Sequence, residues 1–115
     1  MNIETKNLWE KNASEILVLI DKKEISIEEV LESSLNRIKE VNPDINAVVT
    51  LIDEVEKKRL INNFDNSTDS ILKGMPVLIK DMNDVQNMRT TYGSKLYSDY
   101  IPKNSDIIVL SLIHI

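Results

Sequence analysis

The chain has 115 residues, a hydrophobic fraction of 42% and a net charge of −5, which fits one small globular domain and excludes wholesale disorder. Its cations are interleaved with acids, as in Glu54-Val55-Glu56-Lys57-Lys58-Arg59, so a solvated helix face is expected there and a nucleic-acid backbone is not expected as a direct partner. Cysteine is absent, which removes disulfides, thiolate zinc sites and a thiol nucleophile.

Met1-Asn2-Ile3-Glu4 offers no basic segment followed by an apolar core, so no secretory signal is read and the cytoplasm is the expected location. Asn12-Ala13-Ser14 and Asn66-Ser67-Thr68 are then chance matches to the glycosylation pattern. Asn12 can cap a helix, with Glu15 completing a capping box, and Ile16, Leu17, Leu19 and Ile20 make its apolar stripe. Lys22 and Lys23 stand where a helix C-terminus favours cations. Ser26 and Glu29 repeat the box, and Val30, Leu31, Ser34, Leu35, Ile38 and Val41 recur at helical spacing. Asn42-Pro43 is expected to end that helix, because the residue before a proline avoids the α region.

The β-branched run 46–52 reads as a strand, and Asp53 caps a third helix reaching about Phe64. Residues 65–69 form a polar loop. Gly74 and Pro76 then lead into a second strand, 77–80, whose alternation puts Leu78 and Lys80 on one face. Residues 90–94 read as short extended structure or loop, and Ser105 or Asp106 can cap a last helix. The apolar run 107–115 is too short to span a bilayer. Helices and strands mixed in one unit give an α/β class.

Lys80 is the residue with most chemical interest. A lysine at the end of an apolar strand is most simply an exposed edge residue. Flanked by apolar neighbours it can instead be desolvated, which lowers an ammonium pKa and makes a base. Asp81 beside it can steady the local hydrogen bonding. Gly74 and Gly93, the two glycines of the chain, bracket the segment, and glycine is used where backbone needs a positive φ or a close approach.

The run Leu72-Lys73-Gly74-Met75-Pro76-Val77-Leu78-Ile79-Lys80-Asp81-Met82-Asn83-Asp84-Val85, followed by Thr90-Thr91-Tyr92-Gly93-Ser94 and then Pro102-Lys103-Asn104-Ser105-Asp106, resembles the N-terminal part of the amidase signature family. Upstream, Asn12-Ala13-Ser14-Glu15, the 25–30 segment and Asn42-Pro43-Asp44-Ile45-Asn46-Ala47 fit as well, so the resemblance covers residues 8–110. It implies an α/β/α sandwich of which this chain holds the helical N-terminal segment, 8–45, and the start of the core, 46–110. It also implies serine hydrolase chemistry on carboxamide C–N bonds. In that scheme a lysine base relays a proton through a bridging serine, held in a cis peptide, to a nucleophilic serine, while backbone N–H groups stabilise the oxyanion.

By this resemblance Lys80 is the catalytic base, with Asp81, Thr90, Thr91, Gly93 and Ser94 as support around it. Neither family serine has a counterpart here, since Ser94 belongs to the Thr-Thr-x-Gly-Ser motif and Ser98 lacks a glycine-rich setting. The chain alone is therefore expected to be inactive. Asn87 stands where the family often has glycine, a mild change because Asn tolerates the left-handed region. The tail after Asp106 lacks the family's Gly-Ala turn and reads as a truncated or frame-shifted product. His114, the single histidine, has no Cys or Asp nearby and is given no catalytic or metal role.

The resemblance implies no cofactor and no metal, a small-molecule amide as substrate of the intact parent, no membrane partner, and self-association through exposed edges. Two alternatives stay open. One is a fragment of the A-type polypeptide of a tRNA-dependent amidotransferase, which uses the same fold to release ammonia from glutamine, although Asn83-Asp84-Val85 and the 88–94 segment stand closer to free amidases and cyclic-amide hydrolases. The other is a non-enzymatic module whose two capped helices bind a partner.

Overall fold

The computed structural model describes residues 5–65 and 69–115. The chain start at Met1-Asn2-Ile3-Glu4, the Asn66-Ser67-Thr68 match and the middle of the 65–69 loop lie outside the described residues, as does the side chain of His114. The chain divides into two compact units, one from Met1–Val48 with Ile61–Pro76 and one from Val49–Leu60 with Val77–Ile115.

The first unit opens with a 3-10 helix, Thr5–Glu10, followed by α1, Ala13–Asp21, and α2, Ile27–Ile45. Both capping boxes form as the sequence predicts. The Glu15 N–H donates to Asn12 Oδ1 at 3.0 Å and the Asn12 N–H to Glu15 Oε2 at 2.9 Å. The Glu29 N–H donates to Ser26 Oγ at 3.1 Å and the Ser26 N–H to Glu29 Oε2 at 2.8 Å. Each pair satisfies two amide donors that a helix start leaves over.

α1 stops in a Schellman turn. The Lys23 N–H bonds Ile20 O at 2.9 Å and the Glu24 N–H bonds Leu19 O at 3.0 Å, with Lys23 itself left-handed at φ 57°. Leu8, Ile16, Ile25 and Val30 make the buried core, with Leu19, Ile20 and Met75 packed against it. Trp9 closes one side: its backbone N–H donates to Ser33 Oγ at 3.3 Å and its ring lies 4.3 Å under the Arg37 guanidinium.

α2 does not end at Asn42-Pro43. It runs through Pro43 and is capped by Asn46 in the left-handed region, φ 48°. A proline in the last turn removes one backbone donor, and the Asn42 side chain takes over the organisation of the exit. Its Oδ1 accepts the N–H groups of Ala47 and Val48, each at 2.9 Å, and its Nδ2 donates to Val48 O at 2.9 Å. The 70–76 segment belongs to this unit, held by Lys73 on Asp21 at 2.7 Å and by Gly74, whose left-handed backbone lies against Ile27.

The second unit holds most of α3, Glu54–Asn62, then a short 3-10 helix, Lys95–Tyr97, and α4, Ile107–His114. Asp53 caps α3 by accepting the Glu56 N–H at 2.8 Å. The helix ends two residues short of Phe64. Its buried face carries Glu56 and Lys57 rather than apolar side chains, and ion pairs make that tolerable: Glu56 holds Arg59 and Lys57 holds Glu54 at 2.9 Å.

Among the described residues there is no β-strand. Residues 46–52 and 77–80, predicted as strands, are neither helical nor laddered, and the one bridge pairs Val85 with Met88. A strand requires a partner, and residue pattern alone does not supply one. In place of a ladder, 84–90 runs antiparallel to 100–106. The Asp84 N–H donates to Asp106 Oδ2 at 2.8 Å, Gln86 N–H to Ser105 Oγ at 2.9 Å, Asn87 N–H to Pro102 O at 3.1 Å and Thr90 N–H to Tyr100 O at 3.0 Å. α4 buries Val109 and leaves Ile107, Ile108, Leu110 and Ile113 exposed. No helix of the described residues is long and apolar enough to cross a membrane.

Candidate functional site

Lys80 opens a tight turn in which the Asn83 N–H donates to Lys80 O at 3.0 Å. Its side chain is exposed, as is that of Leu78 two residues earlier. The apolar wall that the sequence suggests around it is not formed within the described residues.

Asp81, half-buried, organises the loop opposite. Its Oδ1 accepts the Thr91 N–H at 2.8 Å and its Oδ2 accepts the Thr91 hydroxyl. Its carbonyl accepts the Tyr92 N–H at 2.9 Å. Burial pushes the Asp81 carboxyl upward, but the hydroxyl and N–H of Thr91, the N–H of Gly93 and the nearby Arg89 charge together outweigh it and hold it below the ordinary aspartate value.

The other predicted supports divide. Gly93 is left-handed at φ 68°, and its N–H reaches Thr91 Oγ1 at 3.3 Å. Ser94 caps the Lys95–Tyr97 helix, its Oγ accepting the Leu96 N–H at 3.3 Å. Thr90 is buried, with its hydroxyl on Met88 O at 3.3 Å. Thus Asp81, Thr91 and Gly93 form one hydrogen-bonded group beside Lys80, while Thr90 and Ser94 hold the loop's two ends.

Other residues join this region that sequence reading did not assign. Asp84 accepts the Tyr92 hydroxyl on Oδ1 and the Tyr100 hydroxyl on Oδ2, the latter at 3.1 Å. Those hydrogen bonds, with burial, raise both phenols above their ordinary value of 10. Tyr92, Tyr97 and Tyr100 pack as a trio with ring centroids 5.1 to 6.0 Å apart. Arg89 donates to Val49 O at 2.7 Å and to Ser98 O at 3.1 Å. It stands on the rim of a groove of about 310 Å³ lined also by Thr50, Leu51, Glu56, Met88 and Ile101. In the sequence these residues are scattered among ordinary loop letters, and only the fold brings them together. Among the described residues no group of His, Cys, Asp and Glu is arranged to hold a metal ion.

The amidase family profile matches residues 29–114, which takes in all but the first two residues of α2 and the whole Lys80 loop. The chain belongs to the amidase family. Similar members are A-type polypeptides of glutamyl-tRNA(Gln) amidotransferase. The one from Caldanaerobacter subterraneus subsp. tengcongensis is 36% identical over 110 residues, covering 93% of this chain and 22% of its own. The one from Thermoanaerobacter pseudethanolicus is 35% identical over 109 residues, covering 92% and 22%. The first of the numbered A-type polypeptides of Clostridium acetobutylicum is 37% identical over 106 residues, covering 88% and 22%. The chain thus spans about a fifth of the length of these curated relatives. No solved structure matches.

Within this amidase segment, the Asn87 departure is accommodated as expected. Asn87 is left-handed at φ 64° and its N–H closes onto Pro102 O. Its side chain also hydrogen-bonds Glu56, whose carboxyl lies below its ordinary value chiefly because of Arg59, burial working the other way.

An acid titration tests these contacts. Asp81 and Glu56 both have lowered values, from 3.8 and 4.5. Each therefore contributes stability that is complete above those values and is lost as pH falls through the lower, folded ones. The near-ultraviolet circular dichroism of the three tyrosines, all in the second unit, is expected to hold steady above about pH 5 and to be lost progressively as pH falls below about pH 4. A signal unchanged down to about pH 2 would contradict the assigned contacts.

Proposed function

We propose that this chain is the lysine-bearing portion of a carboxamide-cleaving enzyme of the A-type amidotransferase kind, with Lys80 as its proton acceptor. What carries the reading is the position of Lys80 on a hydrogen-bonded turn within the family match, with Asp81 holding Thr91 and Gly93 beside it. The name the relatives share favours glutamine as the amide and a charged tRNA as the acceptor of the ammonia released. A free amidase acting on small amides is the second reading, favoured by the Asn83-Asp84-Val85 and Tyr92-Gly93-Ser94 form of the motifs. The expectation of no nucleic-acid partner finds no support in the relatives' names, and a tRNA-bound substrate enters the proposal in its place.

In this reading Lys80 takes a proton, through a bridging serine, from a serine nucleophile that attacks the amide carbonyl. Neither serine has a counterpart among these 115 residues, so the chain by itself hydrolyses no carboxamide. Residues 46–52 and 77–80 become strands of an α/β/α sandwich only when paired within a longer chain. The surface that desolvates Lys80 and the exposed faces of Leu78 and α4 likewise belongs to such a chain, and without it those faces favour self-association.

A graft tests this. Residues 1–115 replace the matching segment of the Caldanaerobacter subterraneus relative, and glutamine hydrolysis is measured with the relative's partner proteins present. Activity within about tenfold of the unmodified relative, a cost of about 1.4 kcal/mol in the barrier, is the expected result. A soluble, folded graft with no hydrolysis overturns the proposal. Hydrolysis of small amides but not glutamine selects the second reading.

A further inference from the structure

The Lys80 turn is held from outside at two points by one residue. Tyr92 donates its N–H to Asp81 O at 2.9 Å and its hydroxyl to the Asp84 carboxylate. Asp81 is the second residue of the turn closed by the Asn83 N–H on Lys80 O, and Asp84 directly follows its last. Tyr92 achieves this from a left-handed backbone, φ 53°, followed by Gly93, also left-handed. A bulky residue is costly in that region, and such strain persists where surrounding contacts over-determine it.

Those contacts are present. The Tyr92 ring stacks on Tyr100 at 6.0 Å and meets the edge of Tyr97 at 5.1 Å. Tyr100 donates to the second Asp84 oxygen, and the Asp84 backbone exchanges hydrogen bonds with Asp106 at 2.8 and 2.9 Å. Glycine at 92 would relieve the backbone and lose every one of the side-chain contacts.

We propose that Asp84 and Tyr92 are positioning residues, a clasp that fixes the Lys80–Asn83 turn and so the direction from which the Lys80 amine approaches its proton donor. This rests on Lys80 being the base. A base held in place loses little order in the transition state, so a loosened clasp slows the chemical step and leaves ground-state binding alone.

The test has two arms. In the 115-residue chain, Tyr92→Phe keeps the ring and deletes only the hydroxyl. Amide exchange at Asn83 is expected to quicken about tenfold, the scale of one lost hydrogen bond to a charged group, while exchange at Val30 in the other unit is unchanged. In the graft, Tyr92→Phe is expected to lower kcat about tenfold with KM within about twofold, and Asp84→Ala to lower it further. Asp84→Asn, which keeps one acceptor oxygen, is expected to recover part of that loss.

Unchanged exchange at Asn83 overturns the clasp. So does unchanged kcat in Tyr92→Phe and Asp84→Ala where Lys80→Ala is inactive. A fully active Lys80→Ala graft overturns the base assignment beneath it, and the positioning role with it, so the two failures are told apart.

Discussion

Replacing Lys80 by alanine in the graft is expected to lower glutamine hydrolysis by about a thousandfold, within the range ascribed to a positioned general base. The loss should fall on kcat and leave KM nearly unchanged, because Lys80 is assigned to proton transfer and not to holding substrate. Lys80→Arg is expected to be no better than alanine: the guanidinium keeps its charge at any accessible pH and cannot accept the proton. In the 115-residue chain the Lys80 side chain is exposed, so truncation there removes the amine without opening a cavity. Circular dichroism and the unfolding midpoint of the 115-residue Lys80→Ala chain should match the parent. An active Lys80→Ala graft would remove Lys80 from the mechanism.

Gly74→Ala is expected to destabilise the first unit by about 2–4 kcal/mol, combining overpacking with a left-handed alanine. A Cβ built at Gly74 would stand 2.3 Å from Ile27 Cγ2 and 3.4 Å from Ile27 Cβ. Ile27 is the first residue of α2 and β-branched, so its Cγ2 is confined to few χ1 positions and yields less readily than the end of a long side chain. Gly93→Ala is the control. Its φ is equally left-handed at 68°, but nothing lies within 4 Å of the added carbon, so backbone strain alone, about 1 kcal/mol, is expected. Urea titration followed by Trp9 fluorescence reads the first unit, and the tyrosine signal reads the second. Equal effects from both glycines would mean that Gly74 does not approach Ile27 as described.

The helical part of the fold was legible in the sequence because its signals are local. Asn12 with Glu15 and Ser26 with Glu29 complete their boxes within four residues, and no distant contact is needed to make them. Pro43 misled because proline breaks a helix interior but is tolerated in a final turn, and the Asn42 side chain that rescues the exit bonds forward to residues whose position the sequence does not give. The strand pattern at 46–52 and 77–80 is sound as a pattern, yet a strand is a relation between segments and these have no laddered partner among the described residues.

The site divides in the same way. Lys80, Asp81 and Thr91 could be named because the family motif holds them at short spacing. Asp84 with Tyr100 and Asp106, and Arg89 with Val49, span 16, 22 and 40 positions. No periodicity announces a hydrogen bond of that reach. Asn87 is the instructive intermediate: its tolerance of positive φ was readable from its chemistry, whereas its bond to Glu56 was not.

The buried charges of α3 bear on how the chain responds to temperature. Among the described residues the first unit buries Leu8, Ile16, Ile25 and Val30 with one hydroxyl, Ser33, whereas the second buries Glu56, Lys57 and Thr90 beside Val109 and Pro102. Unfolding the first exposes mostly hydrocarbon and raises the heat capacity, while polar exposure in the second lowers it. The second unit therefore has the smaller heat-capacity increment and the flatter stability curve, and its cold limit lies further from its heat limit than a hydrocarbon core of the same size would allow.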